Sequence, residues 1–189
     1  MFTKNEVRDL TISIVVLALI FSSFRIDILP MTLFIVIFVF AFHEIVGHKF
    51  VAQHYGCSAE YKIWPMGLIL GLITAFLPGM KFAAPGAVYI SPIVRKKFAF
   101  SVAHLTKREY GIISLAGPLV NIVIGISFLL VSLFFPLEIF ILTSKFSFFL
   151  ALFNLIPFPP LDGFKVLIWD KKFWLIAVIV SLVGLFFYP

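Results

Sequence analysis

His43, Glu44 and His48 interrupt an apolar run over residues 31–55 that otherwise has the composition of a membrane span. An ionisable group at that depth costs about 2.5–3.5 kcal/mol on insertion scales, so its presence points to chemistry or to a metal. The block His43-Glu44-Ile45-Val46-Gly47-His48 is close to H-E-x-x-H, in which two histidines one helical turn apart bind zinc and the glutamate activates water. Here the second histidine comes one residue late. In a regular α-helix an i,i+4 pair is about 40° apart and an i,i+5 pair about 140° apart, so His43 and His48 would not face one metal. Three accounts fit this spacing. A π-bulge absorbs the extra residue, eased by Gly47 just before His48. A regular helix instead makes Glu44 and His48 the ligand pair. In the third account the site is degenerate and binds nothing.

A catalytic zinc takes three protein ligands and keeps one position open. The block Asn154-Leu155-Ile156-Pro157-Phe158-Pro159-Pro160-Leu161-Asp162-Gly163 offers a third ligand, because it ends an apolar run with three prolines and then presents one carboxylate. Proline removes N–H donors and breaks helices, and irregular backbone at membrane depth is tolerated only where protein buries it or it lines a cavity. The plain alternative for Asp162 is an Asp-Gly helix cap. Cys57 is the single cysteine, which excludes an intramolecular disulfide and a cysteine zinc cage. His54 lies about three helical turns, roughly 16 Å, beyond His43, too far to join a shared metal. It reads as an interfacial histidine, and His104, in a basic loop, reads as solvated.

The elements that must position these residues are membrane helices. The chain has 189 residues, 62% of them hydrophobic and 13% charged, a composition outside that of soluble domains. We expect an all-α polytopic membrane protein of about five to six transmembrane helices, forming one domain over residues 1–189. Spans are expected near 10–28, 31–55, 110–135, 138–157 and 172–188, with 66–80 a re-entrant or interfacial hairpin because it is short and rich in glycine and proline. Between the second and third core helices a small membrane-embedded or interfacial β element is expected, built from Tyr61–Trp64 and the β-prone run after Pro85-Gly86. Trp169 and Trp174 flank the last span as interfacial aromatics. The net charge of +6 follows membrane topology and gives no reason to expect nucleic acid. Lys and Arg gather before the first span and in 81–108, which places the N-terminus in the cytoplasm of a multi-pass protein of the plasma membrane.

Three blocks together resemble the site-2 protease, or M50, family of intramembrane metalloproteases in its compact prokaryotic form. They are the His43–His48 motif, Ala116-Gly117-Pro118-Leu119-Val120-Asn121, and Asn154 to Gly163, similar to the family's N-x-x-P-x-P-x-L-D-G. The resemblance implies one zinc per chain held by His43, His48 and Asp162, with Glu44 as general base. It implies a three-span core that opens laterally to a transmembrane protein substrate, and a sheet at 61–66 and 86–91 that receives the unwound substrate as an added strand. The expected reaction is hydrolysis of peptide bonds in or near transmembrane segments. Asn121 and Asn154 are candidate oxyanion donors, with helix packing beside Gly117 the alternative for Asn121. Two other functions compete: an inactive relative that binds transmembrane partners, supported by the five-residue spacing, and a metal transporter, which the lack of an internal repeat disfavours.

Overall fold

The computed structural model describes residues 2–77, 81–91, 93–96, 99–102 and 105–187, with 93–96 and 99–102 by their backbone. His104 and residues 78–80 of the expected hairpin lie outside the described residues. Among the described residues two helices, Leu29–His54 and Lys107–Phe134, are long and apolar enough to cross a membrane. The first comprises α2 (Leu29–Phe42), a π-helical segment (His43–Lys49) and α3 (Phe50–His54). Before it comes α1 (Lys4–Ser22), capped by Thr3, whose side chain accepts from the Glu6 amide. After it the chain enters β1 (Ser58–Ile63), α4 (Pro65–Ala75) and β2 (Gly86–Ser91). The hairpin strands β3 (Ile93–Lys96) and β4 (Ala99–Val102) form a second two-stranded sheet in the basic loop, which the sequence reading does not anticipate.

The long helix α5 (Lys107–Phe134) opens with a capping box between Thr106 and Glu109 and is followed by α6 (Glu138–Asn154), α7 (Asp162–Trp169) and α8 (Lys171–Phe186). The expected re-entrant or interfacial hairpin at 66–80 contains the short helix α4, whose 11 residues are too few to cross. Pro65 sits at its start, where a missing N–H costs nothing, and this ends β1 at Ile63, short of the expected 66.

One apolar core joins α1, α2 and α6 through Leu17, Ile20, Val36, Phe40 and Leu150, and a second joins α5 to α8 through Ile122, Phe148, Val166 and Ala177. Between them α5 crosses the π-helical segment at a glycine pair. A Cβ on Gly47 would lie 2.5 Å from the Gly117 Cα, so the two backbones are in direct contact there.

The sheet β1–β2 is antiparallel, with Tyr61 opposite Val88 and Ile63 opposite Gly86. Its outer β1 edge is closed by α1. The Tyr61 amide donates to Glu6 and the Ile63 amide donates to Asp9, at 3.1 and 3.3 Å, while the Trp64 amide donates to the Pro85 carbonyl. Odd-numbered β1 residues therefore bond toward α1 and even-numbered ones toward β2. By the antiparallel alternation, Gly86, Val88 and Ile90 turn their N–H and C=O groups to the opposite edge of β2, which no strand among the described residues pairs and where the Val88 backbone meets Glu44. Lys49 anchors α1 to the helix bearing the histidines, since its buried ammonium pairs with the buried Glu6 at 2.5–2.6 Å.

Candidate metal centre

The π-helical segment spans His43–Lys49, so the late histidine is absorbed by i→i+5 bonding, which widens the turn and brings residues five apart to one side. Nε2 of His43 and Nε2 of His48 lie 3.1 Å apart. Of the two helix geometries open to the sequence, this is the one that leaves both histidines facing the same point. Glu44 sits beside them.

Asp162 arrives from another part of the chain. The proline-rich turn after α6 delivers it as the first residue of α7, and Gly163 permits this because a Cβ there would overlap the Leu155 carbonyl, at 2.0 Å. One oxygen of Asp162, Oδ2, lies 3.0 Å from Nε2 of His48 and 3.9 Å from Nε2 of His43. Its other oxygen, Oδ1, lies 3.2 Å from Nζ of Lys165, one turn along α7. All three candidate ligands are at most 9% exposed.

These donors fit zinc. Two ligands about 2.0–2.1 Å from a tetrahedral zinc lie about 3.3 Å apart, close to the His43–His48 and His48–Asp162 separations of 3.1 and 3.0 Å. Nδ1 of His48 donates to the Ile113 carbonyl at 2.9 Å, which leaves Nε2 with the lone pair that a ligand needs. Glu44 is 5% exposed and its Oε2 is buried without a hydrogen-bond partner among the described residues. Such an orphaned acceptor costs about 1–3 kcal/mol, and a site that awaits a polar molecule accounts for it.

A cavity of about 200 Å³ opens on this cluster, lined by Glu44, His48, Asp162, Lys165, Asn154 and residues of β2. The Val88 backbone of β2 faces Glu44. Asn154 donates to the Leu150 carbonyl at 3.0 Å and borders the cavity. Asn121, by contrast, is fully buried in α5 behind His43, its amide 2.9 Å from Nδ1. His54 is exposed at the end of α3 and takes no part.

A protein of Methanocaldococcus jannaschii named "Putative zinc metalloprotease" is 40% identical to this chain over 194 residues, covering 99% of this chain and 95% of that one. The chain belongs to that protein's family. No protein-family model and no solved structure matches it.

For this family member the sequence blocks miss several residues that shape the cluster. Lys165 follows Asp162 by three positions, so the helical start at the Asp-Gly pair is the signal that could find it. Ile113 acts through its carbonyl, which no side-chain motif reveals. Gly117 falls within a recognised block, but its role is spatial. A Cβ there would lie 2.2 Å from Nε2 of His48 and 2.8 Å from Cε1 of His43. Ile113, Gly117 and Asn121 recur every four residues, so one face of α5 receives both imidazoles.

Proposed function

We propose that the protein is an intramembrane zinc metalloprotease of the site-2 protease type, hydrolysing peptide bonds in or near transmembrane segments of other membrane proteins. The observation that carries this reading is the convergence of His43, His48 and Asp162 beside a Glu44 oxygen that has no partner among the described residues, with Glu44, His48 and Asp162 lining one cavity bordered by β2. The five-residue spacing supports an inactive relative when read in a regular helix, and the π-helical segment, which turns both histidines to one side, supports the active reading. The outward faces of α5 and α8 support a bilayer setting, since Val123, Leu133, Ile176 and Val183 are exposed and apolar. In this reading α1, α6 and α8 cross with the two longer helices, and residues 1–189 act as one multi-pass unit of the plasma membrane with a cytoplasmic N-terminus.

Zinc held by His43, His48 and Asp162 would act as a Lewis acid on the scissile carbonyl and make water a nucleophile near neutral pH. Glu44 takes a proton from the attacking water as its oxygen bonds to the carbonyl carbon, then passes that proton to the amine that leaves as the C–N bond breaks. Asn154 already uses one amide hydrogen on Leu150 and has a second for the oxyanion. The substrate unwinds and adds as a strand to β2, bonding to the outward groups of Gly86, Val88 and Ile90. Lys165, on the far oxygen of Asp162, holds that carboxylate in place.

Zinc analysis of two variants, with cleavage of a transmembrane test peptide, tests the assignment. Glu44→Gln is expected to bind zinc and cut nothing, and His43→Ala to lose zinc. Loss of zinc in Glu44→Gln with full retention in His43→Ala would overturn it.

A further inference from the structure

Asn121 has a place that cavity lining and helix packing leave unexplained. Its side chain is wholly buried, its nitrogen faces Nδ1 of His43 at 2.9 Å, and its oxygen is buried without a partner among the described residues. With the nitrogen toward Nδ1, the ring accepts there and carries its proton on Nε2, which then has no lone pair for a metal. With the oxygen toward Nδ1, the ring donates there and Nε2 is free to coordinate. The amide can adopt either orientation, and the hydrogen-bond network decides between them. A half-turn of the amide gives its oxygen the ring Nδ1–H as donor and puts the NH2 group where the oxygen stood.

The neighbouring histidine has the corresponding arrangement already. Nδ1 of His48 donates to the Ile113 carbonyl at 2.9 Å, two turns before Asn121 on the same face of α5. Between them Gly117 leaves room for both rings. One helix thus meets both imidazoles on the side away from Asp162.

We propose that Asn121 is a positioning residue for His43, whose side-chain oxygen accepts the Nδ1–H bond and so fixes the tautomer and rotation that direct Nε2 to the metal. This rests on the zinc reading above, and it assigns Asn121 to the metal's outer shell in place of the oxyanion. The distinction has a readout apart from turnover. An outer-shell partner of a ligating histidine is worth about 10–100-fold in metal affinity, whereas an oxyanion donor leaves zinc binding unchanged.

The experiment is competition for zinc between a chromogenic chelator and the full-length protein in detergent, for wild type, Asn121→Leu and Asn121→Asp. The leucine variant is expected to bind zinc about 10–100-fold more weakly. The aspartate variant, with an acceptor at the same reach, is expected to match wild type or exceed it. Nitrogen-15 NMR of histidine in the zinc-loaded protein should report Nδ1–H at His43 in wild type and Asn121→Asp. Zinc affinity unchanged in Asn121→Leu would overturn the proposal and return Asn121 to the oxyanion. Should the leucine variant not fold, weakened zinc binding in Asn121→Asp, or an Nε2–H tautomer at His43, would overturn it equally. Wild-type protein that takes up no zinc would instead refute the metal reading itself.

Discussion

Gly117→Ala is the sharpest probe of how the helices build the centre. The added Cβ would stand 2.2 Å from Nε2 of His48, 2.6 Å from its Cε1 and 2.8 Å from Cε1 of His43, where ordinary contact begins at 3.4 Å. The His48 ring must therefore move by about 1 Å, several times the roughly 0.2 Å tolerance on a metal–ligand distance. His43 must move as well, so two of three ligands leave their places at once. The loss in zinc affinity should exceed the about 10–100-fold that removal of one outer-shell partner costs. Stability should respond far less, because alanine gains about 1 kcal/mol over glycine within a helix and local overpacking costs about 1–3 kcal/mol. Gly125→Ala is the control, since its Cβ would press on the Phe148 ring at 2.9 Å, away from the histidines. Zinc competition, read with circular dichroism and thermal unfolding in detergent, separates the two effects. A folded Gly117→Ala protein with wild-type zinc affinity would refute the argument that this crossing sets the ligand geometry.

Four further outcomes are expected. Ile90→Pro should slow cleavage while zinc stays bound, because it removes an outward donor on the open edge of β2. Tyr89→Pro should loosen the β1–β2 sheet itself, since Tyr89 pairs with Glu60 on the bonded side, and proteolysis of the β1–β2 region would report the difference. Lys49→Met leaves the buried Glu6 without its cation, so unfolding should become easier by about 3–5 kcal/mol. Addition of Glu6→Gln should recover part of that loss, and a neutral effect of Lys49→Met would show that the pair does not hold α1 in place. A reporter fused at Lys97 should behave as cytoplasmic, and an extracytoplasmic signal would invert the proposed topology.

The chemistry-bearing residues are legible in the sequence because membrane composition makes them conspicuous. Against a background that is 62% hydrophobic, a histidine, a glutamate or an aspartate within an apolar run must have a partner. Helix positions follow from the same contrast: the helix Leu29–His54 and α5, α6 and α8 fall close to the expected spans, whereas α1 runs over Lys4–Ser22 and stops short of the expected 28. Periodicity could not settle how His43 and His48 relate, because the α and π forms of one segment differ by a single residue per turn and share the same hydrophobic pattern. The structure decides for the π form, in the segment that meets α5 at the Gly47–Gly117 contact.

Contacts between distant segments were equally out of reach. Ile113 meets His48 across 65 residues, Asn121 meets His43 across 78, and Glu6 meets Tyr61 across 55. These partners depend on which helix faces cross, and a backbone carbonyl such as that of Ile113 leaves no mark in residue type. The open edge of β2 is of the same kind. Sequence predicts that two strands pair, but which strand stays free depends on α1 supplying Glu6 and Asp9 to the amides of the other. Residue chemistry thus determined by itself which reactive groups stand within the apolar helices. Only tertiary packing decided which atoms point at one another, because hydrogen bonds and metal ligation are directional whereas hydrophobic patterning is not.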